Sequence, residues 1–126
     1  MRIVGVRGAT TCAVDDAVEI GAKTRTLLAV LFKENDIGSE DLVSIIFTAT
    51  DDLTAAFPAA SAREMGLNDV PLLGAREMAV GGSPERCIRV LIHCYSGRTR
   101  SEIRHVYLEG ARPLRGDLLP DFPGPA

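Results

Sequence analysis

The sequence predicts an α+β domain, a mixed β-sheet packed on one long helix and a short helix. Three observations carry this. Two short runs, IVGVRGA at 3–9 and SIIFTAT at 44–50, are dominated by β-branched and apolar residues, as strands are. Between them Ile20, Leu27, Leu28, Leu31 and Phe32 recur at helical spacing. After a second, shorter helical stretch the chain is mostly strand, so the order is β, α, β, α, then β.

The elements follow in order. Residues 3–9 alternate and form the first strand. Asp15 and Asp16 offer an N-cap, and the long helix should run from there to about Asn35. Gly38 lies just beyond its end, and Ser39 with Glu40 and Asp41 starts a further helical turn. Residues 44–50 read as a strand buried on both faces. Pro58 suits a first helical turn, so a short helix should cover 59–65 and stop at Gly66. DVPLLGA is a short strand whose Pro71 belongs at an edge or a start. REMAV, with Glu77, is read as a strand, and Gly81-Gly82-Ser83-Pro84 as a turn. Residues 86–95 are the strongest strand in the chain, and 103–111 the last. Three prolines and two glycines in GDLLPDFPGPA argue for an irregular tail. The expected organisation is one domain over 1–115 and a flexible tail over 116–126.

At 126 residues the chain suits a single domain that buries roughly two-thirds of its unfolded surface. It is 46% hydrophobic and 25% charged, the balance of a soluble globular protein. No apolar run approaches the ~20 residues of a membrane helix. MRIVGVRGAT is too short in its apolar stretch for a signal peptide, so the expectation is a cytoplasmic protein with no membrane partner. Cys12, Cys87 and Cys94 form no CxxC and no cluster with His93 or His105 at metal spacing. Reduced thiols that fill the core, no metal and no cofactor are expected.

The net charge of −3 does not imply wholesale phosphate-backbone binding, yet twelve of the fourteen basic residues are arginine. Arginine is the side chain for bidentate carboxylate recognition. In CIRVLIHC at 87–94, alternation puts Ile88, Val90, Ile92 and Cys94 on one face and Cys87, Arg89, Leu91 and His93 on the other. The first face should meet the helix. Arg89 then lies on a face that nothing else in the sequence covers, which points to oligomerisation through it. Arg7 ends the first strand in a similar apolar setting. Two guanidiniums so placed suggest a shared anionic ligand. Arg63, Glu77, Tyr107 and Arg115 would complete a pocket for a small polyanion bearing a hydroxyl. No histidine is placed to activate a nucleophile, and GVRGAT lacks the spacing of a dinucleotide loop. Two other readings stand beside an enzyme: a sensor of a dicarboxylate metabolite, and an RNA surface built from Arg98, Arg100, Arg104 and Arg112. The acidic net charge and the few aromatics argue against RNA.

VRGATT at 6–11, TATDDL at 48–53, AFPA with Arg63 behind it, VPLL followed by REM, the Gly-Gly turn before CIRV, and RHVYLEGARPLR at 104–115 occur together in this order. In them the chain resembles the monofunctional chorismate mutases of the trimeric α/β type, over about residues 3–118. The resemblance implies a homotrimeric pseudo-α/β-barrel with sites at subunit interfaces. It implies the Claisen rearrangement of chorismate to prephenate, toward phenylalanine and tyrosine, with no cofactor, no metal and no nucleic-acid partner. It implies that Arg7 holds a substrate carboxylate, Arg89 the ether oxygen, Glu77 the ring hydroxyl and Tyr107 the pyruvyl side. Phe57 and Ala59 would come from the neighbouring subunit, with Arg63 near the mouth, Leu72, Leu73 and Gly74 lining the pocket, and Leu114 and Arg115 closing it. The chain departs from the pattern at Gly74, where relatives can carry a small polar residue, and at Gly116, where a proline is common. A glycine for a proline loosens the closing segment in the free state.

Overall fold

The computed structural model describes residues 1–118, with side chains through Leu114. The strands are β1 (Arg2–Thr11), β2 (Leu42–Ala49), β3 (Leu72–Arg76), β4 (Cys87–Ser96) and β5 (Val106–Tyr107); the helices are α1 (Ala17–Glu34) and α2 (Pro58–Glu64). The sheet has the order β3-β2-β4-β1-β5. β4 is antiparallel to β1 and β2, while β3 and β5 join the outer sides of those strands in parallel, so the sheet is mixed.

The start of α1 is closed by a residue the sequence offers, and its end by Asn35. Asp16 accepts a hydrogen bond from the Glu19 N–H at 3.0 Å. The neighbouring Asp15 does not cap. It accepts from the Thr54 N–H and hydroxyl and the Ala55 N–H, at 2.9, 2.8 and 3.0 Å, and so ties down the loop leading to Phe57. At the other end Asn35 is buried. Its Nδ2 donates to Leu31 O and Arg104 O, while its Oδ1 accepts from the Arg104 N–H at 2.8 Å. The helix terminus and the segment entering β5 are therefore one unit. α2 begins at Pro58 and ends before Gly66, whose φ of +93° is the left-handed conformation a glycine adopts at little cost.

α1 and α2 pack on one face of the sheet. Val4, Val6, Ile45, Phe47, Val90, Ile92 and Cys94 from the strands meet Leu27, Leu28 and Leu31 of α1 in a single buried cluster. Gly8 permits the close approach of β1 to α1: a Cβ there would fall 2.6 Å from Leu31 Cδ1. The three cysteines are free and buried, as core filling requires. Burial, with Glu19 beside it, pushes the Cys12 thiol up to about 11.

Four expectations need correction. β2 is buried on one face only: Ile45 and Phe47 are covered, while Ile46 and Thr48 on the opposite face are half-buried, because no second layer of the described residues lies over them. That opposite face is not wholly uncovered, because a 3-10 helix, Glu109–Leu118, crosses one end of it. Ala111 is packed there against Ala9 and Cys87, with Tyr107 and Leu114 alongside. The last strand is only Val106–Tyr107; Glu109 takes φ +51°, which a strand does not allow, and the chain turns into the 3-10 helix. REMAV is not a strand. β3 ends at Arg76, and the Glu77 N–H donates to Ala49 O at 2.9 Å before the chain leaves the sheet. The tail beyond Leu118 lies outside the described residues.

Candidate active site

The register of the sheet decides which side chains meet. Across β1, β4 and β2, Ala9 stands opposite Arg89 and Arg89 opposite Thr48; one step along, Arg7 faces Leu91 and Leu91 faces Ile46. All of these lie on the face away from α1. β5 adds Tyr107 beside Ala9. Arg7, Ile46, Thr48, Glu77, Arg89, Leu91, Tyr107 and Leu114 thus surround one cavity of about 250 Å³. Residues separated by as much as the chain from Arg7 to Leu114 converge there, brought by β1, β2, β4, β5, the residue after β3 and the 3-10 helix.

Arg89 is half-buried, and its Nε lies 3.6 Å from Glu77 Oε2, an ion pair beyond hydrogen-bond length. That Nε is sealed from solvent and has no hydrogen-bond partner among the described residues. A buried, unmatched N–H costs about 1–3 kcal/mol, so Arg89 is held here at some cost. Glu77 is itself held: Thr48 Oγ1 donates to its Oε2 at 2.6 Å, and the Met78 N–H donates to its Oε1 at 3.2 Å. Burial pushes the Cys87 thiol up against the pull of the Arg89 guanidinium, so a neutral sulfur packs beside the cation. The strand entering the site is also pinned. Arg86, at φ +45°, donates from its N–H to Asp52 and from Nε to Cys12 O, at 2.9 and 3.0 Å. This left-handed residue is an uncommon conformation for a side chain with a Cβ, stored immediately ahead of β4.

Phe57, Ala59, Arg63, Leu72, Leu73 and Gly74 are not in this cavity. They line a second, more open one of about 730 Å³ between α2 and β3, and among the described residues Thr48 alone borders both. Phe57 is 78% exposed and Leu73 62%, high for large apolar side chains. At Gly74 a Cβ would meet nothing within 4 Å, so the position lacks a side chain and not the room for one. The backbone of Arg115 lies in the 3-10 helix, and its side chain is outside the described ones.

Thr48 is the hydrogen-bonding residue of this cavity that sequence reasoning missed. Its signal was present: it occupies the same face of β2 as Ile46, two residues on, and a threonine there is a hydrogen-bond donor turned toward the arginines. Of the arginines of the RNA reading, Arg98 is engaged in closing α1, donating to Glu34 O and Asp36 Oδ2 at 2.8 Å each. Arg104 lies 3.7 Å from Glu34. Among the described residues no group of His, Cys, Asp and Glu side chains gathers as a metal site would, and no helix is long and apolar enough to cross a membrane.

Comparison with known proteins matches residues 3–118 to the family model described as chorismate mutase type I. The chain is 48% identical over 115 residues to the chorismate mutase AroH of Thermus thermophilus, covering 90% of this chain and 94% of that protein. It is 44% identical over 119 residues to the chorismate mutase AroH of Bacillus subtilis (strain 168), covering 94% of each. Among solved structures, a chorismate mutase from Clostridium thermocellum superposes with a TM-score of 0.85 at 45% identity, over 86% of this chain and 97% of that one.

Proposed function

The chain belongs to the type I chorismate mutase family and is an isomerase of chorismate; from this premise we propose that Arg7, Glu77, Arg89 and Tyr107 hold chorismate and that Arg89 stabilises the transition state. The observation that carries the reading is the convergence of these four side chains on one cavity.

The rearrangement is unimolecular. One C–O bond breaks as one C–C bond forms, and no proton enters or leaves. The protein therefore needs neither a nucleophile nor a general base; it needs to hold a compact conformer and to meet the charge that develops. Arg7 binds a carboxylate, Glu77 accepts from the ring hydroxyl, and Tyr107 contacts the pyruvyl arm, which is a positioning effect. As the C–O bond lengthens, negative charge gathers on the ether oxygen. A guanidinium already aimed there stabilises the transition state more than the ground state.

The second cavity belongs to the same site in an assembly. Phe57, Ala59, Arg63, Leu72, Leu73 and Gly74 of one chain face the arginine cavity of the next, with Leu114 and Arg115 closing over the substrate. Three chains arranged so form a closed ring of sheets, the pseudo-barrel, and bury the exposed Phe57 and Leu73. The enzyme then works in the cytoplasm as a homotrimer with chorismate as substrate and prephenate as product, without cofactor, on the route to phenylalanine and tyrosine.

The test is the decay of the diene absorbance of chorismate with purified protein, alongside sedimentation. Turnover by a particle of three 13.5 kDa chains is expected. An active monomer would remove the shared site, and calorimetric binding of chorismate without turnover would turn the pocket into a sensor.

A further inference from the structure

We infer that Thr48 is a positioning residue whose hydroxyl keeps the Glu77 carboxylate from closing onto Arg89; this rests on the site reading above. Thr48 and Arg89 are direct partners in the β2–β4 ladder, so both side chains emerge on the same face at the same level. Glu77 reaches that level from the first position past β3, where only its N–H is held by the sheet, at Ala49 O. A mobile carboxylate beside a half-buried guanidinium would ordinarily close to a charge-assisted hydrogen bond of about 2.7–2.9 Å. Here the pair stands at 3.6 Å, and the same oxygen, Oε2, takes the Thr48 hydroxyl at 2.6 Å. The Met78 N–H holds the other oxygen.

The consequence is chemical. A closed Glu77–Arg89 pair would tighten the existing ion pair and hold the guanidinium back from the ether oxygen. With Thr48 holding Oε2, the Arg89 Nε remains buried and unmatched. Glu77 meanwhile keeps free lone pairs for the ring hydroxyl, since a carboxylate accepts about four hydrogen bonds. Thr48 touches no reacting atom in this scheme; it sets where two residues that do touch them can go.

Thr48→Val replaces the hydroxyl by a methyl of similar shape. It is expected to lower kcat about tenfold, the loss of one hydrogen bond to a charged group, with KM changed less. Thr48→Ser should restore most of that loss. A double-mutant cycle with Glu77→Ala separates positioning from packing: if Thr48 acts through Glu77, Thr48→Val adds less than about twofold in the Glu77→Ala background. Additive losses, or a Thr48→Val enzyme with kcat within about twofold of the parent, overturn the inference. Melting temperatures of all variants report whether a loss is merely unfolding, and Thr48→Ala, which also removes the hydroxyl, carries the test if the valine variant does not fold. Should Glu77→Ala and Arg89→Ala themselves leave turnover intact, the site reading fails and this inference with it. Should they be impaired while Thr48→Val is not, only the role of Thr48 fails.

Discussion

The two faces of the sheet are built from the same strands by the same alternation, and they do opposite things. Toward α1, Val6, Ile45, Val90 and Ile92 close against Leu27, Leu28 and Leu31 in a layer with almost no exposure. Away from α1, Arg7, Arg89, Glu77, Thr48 and Tyr107 stand around a cavity, with Ile46 and Leu91 half-covered between them. One face spends its positions on burial and holds the fold. The other keeps the Arg89 guanidinium partly desolvated and its Nε unmatched, which is costly in the free protein. A strand supplies both because successive side chains point to opposite sides.

The comparison breaks most sharply at Arg89. Arg89→Ala is expected to lower kcat by more than ~10²-fold with little change in melting temperature. A variant retaining a tenth or more of the parent kcat would remove Arg89 from its role. Arg89→Lys keeps the charge and loses the fork, so it should remain impaired. On the other face Leu28→Ala should do the reverse, costing about 2–5 kcal/mol in denaturant unfolding while the folded fraction turns over normally. A Leu28→Ala enzyme of full stability would mean the core face is not what holds the sheet.

Asn35→Ala tests whether the faces are coupled. Its amide fastens the end of α1 to the segment that delivers Tyr107, and its loss leaves the Arg104 N–H and C=O without those partners. A loss of about 1–3 kcal/mol in stability is expected, together with a fall in kcat/KM; stability lost with kcat/KM unchanged would show that Tyr107 is placed by β1 alone.

The smallest effect is on pH. The Cys12 thiol is raised in the folded protein from an ordinary value near 9.0 to about 11. Between those values the unfolded chain has released the proton and the folded one still holds it. Stability is therefore fully present below about pH 9 and falls as pH rises toward 11. Thermal unfolding across that window should show the decline, and Cys12→Ala should make it shallower, the raised Cys87 and Cys94 thiols keeping part of it. An equally steep decline in the variant would assign the effect to other groups.

Much of the fold was legible along the chain because its cues are local. The periodicity of α1, Asp16 at its start, Pro58 and Gly66 around α2, and the alternation of β4 are read from a few consecutive residues, and each stands where they put it. The errors came where a distant group overrides a local preference. Residues 103–111 have the composition of a strand, but Asn35 holds Arg104 and the backbone turns at Glu109, so only Val106–Tyr107 joins the sheet. Asp15 is as good a cap by type as Asp16, and was drawn off by Thr54 and Ala55.

The site divides in the same way. By itself the sequence determined which face Arg89 lies on, since alternation along one strand is a property of the backbone alone. Only the tertiary structure decided what stands beside it. Register between strands set Thr48 opposite Arg89, and the end of β3 set Glu77 within 3.6 Å of the guanidinium. Those are pairings between segments remote along the chain, and no local preference specifies them. They are chosen by the packing of the whole sheet on α1, which is why a hydroxyl at position 48 acquires its meaning only once the protein is folded.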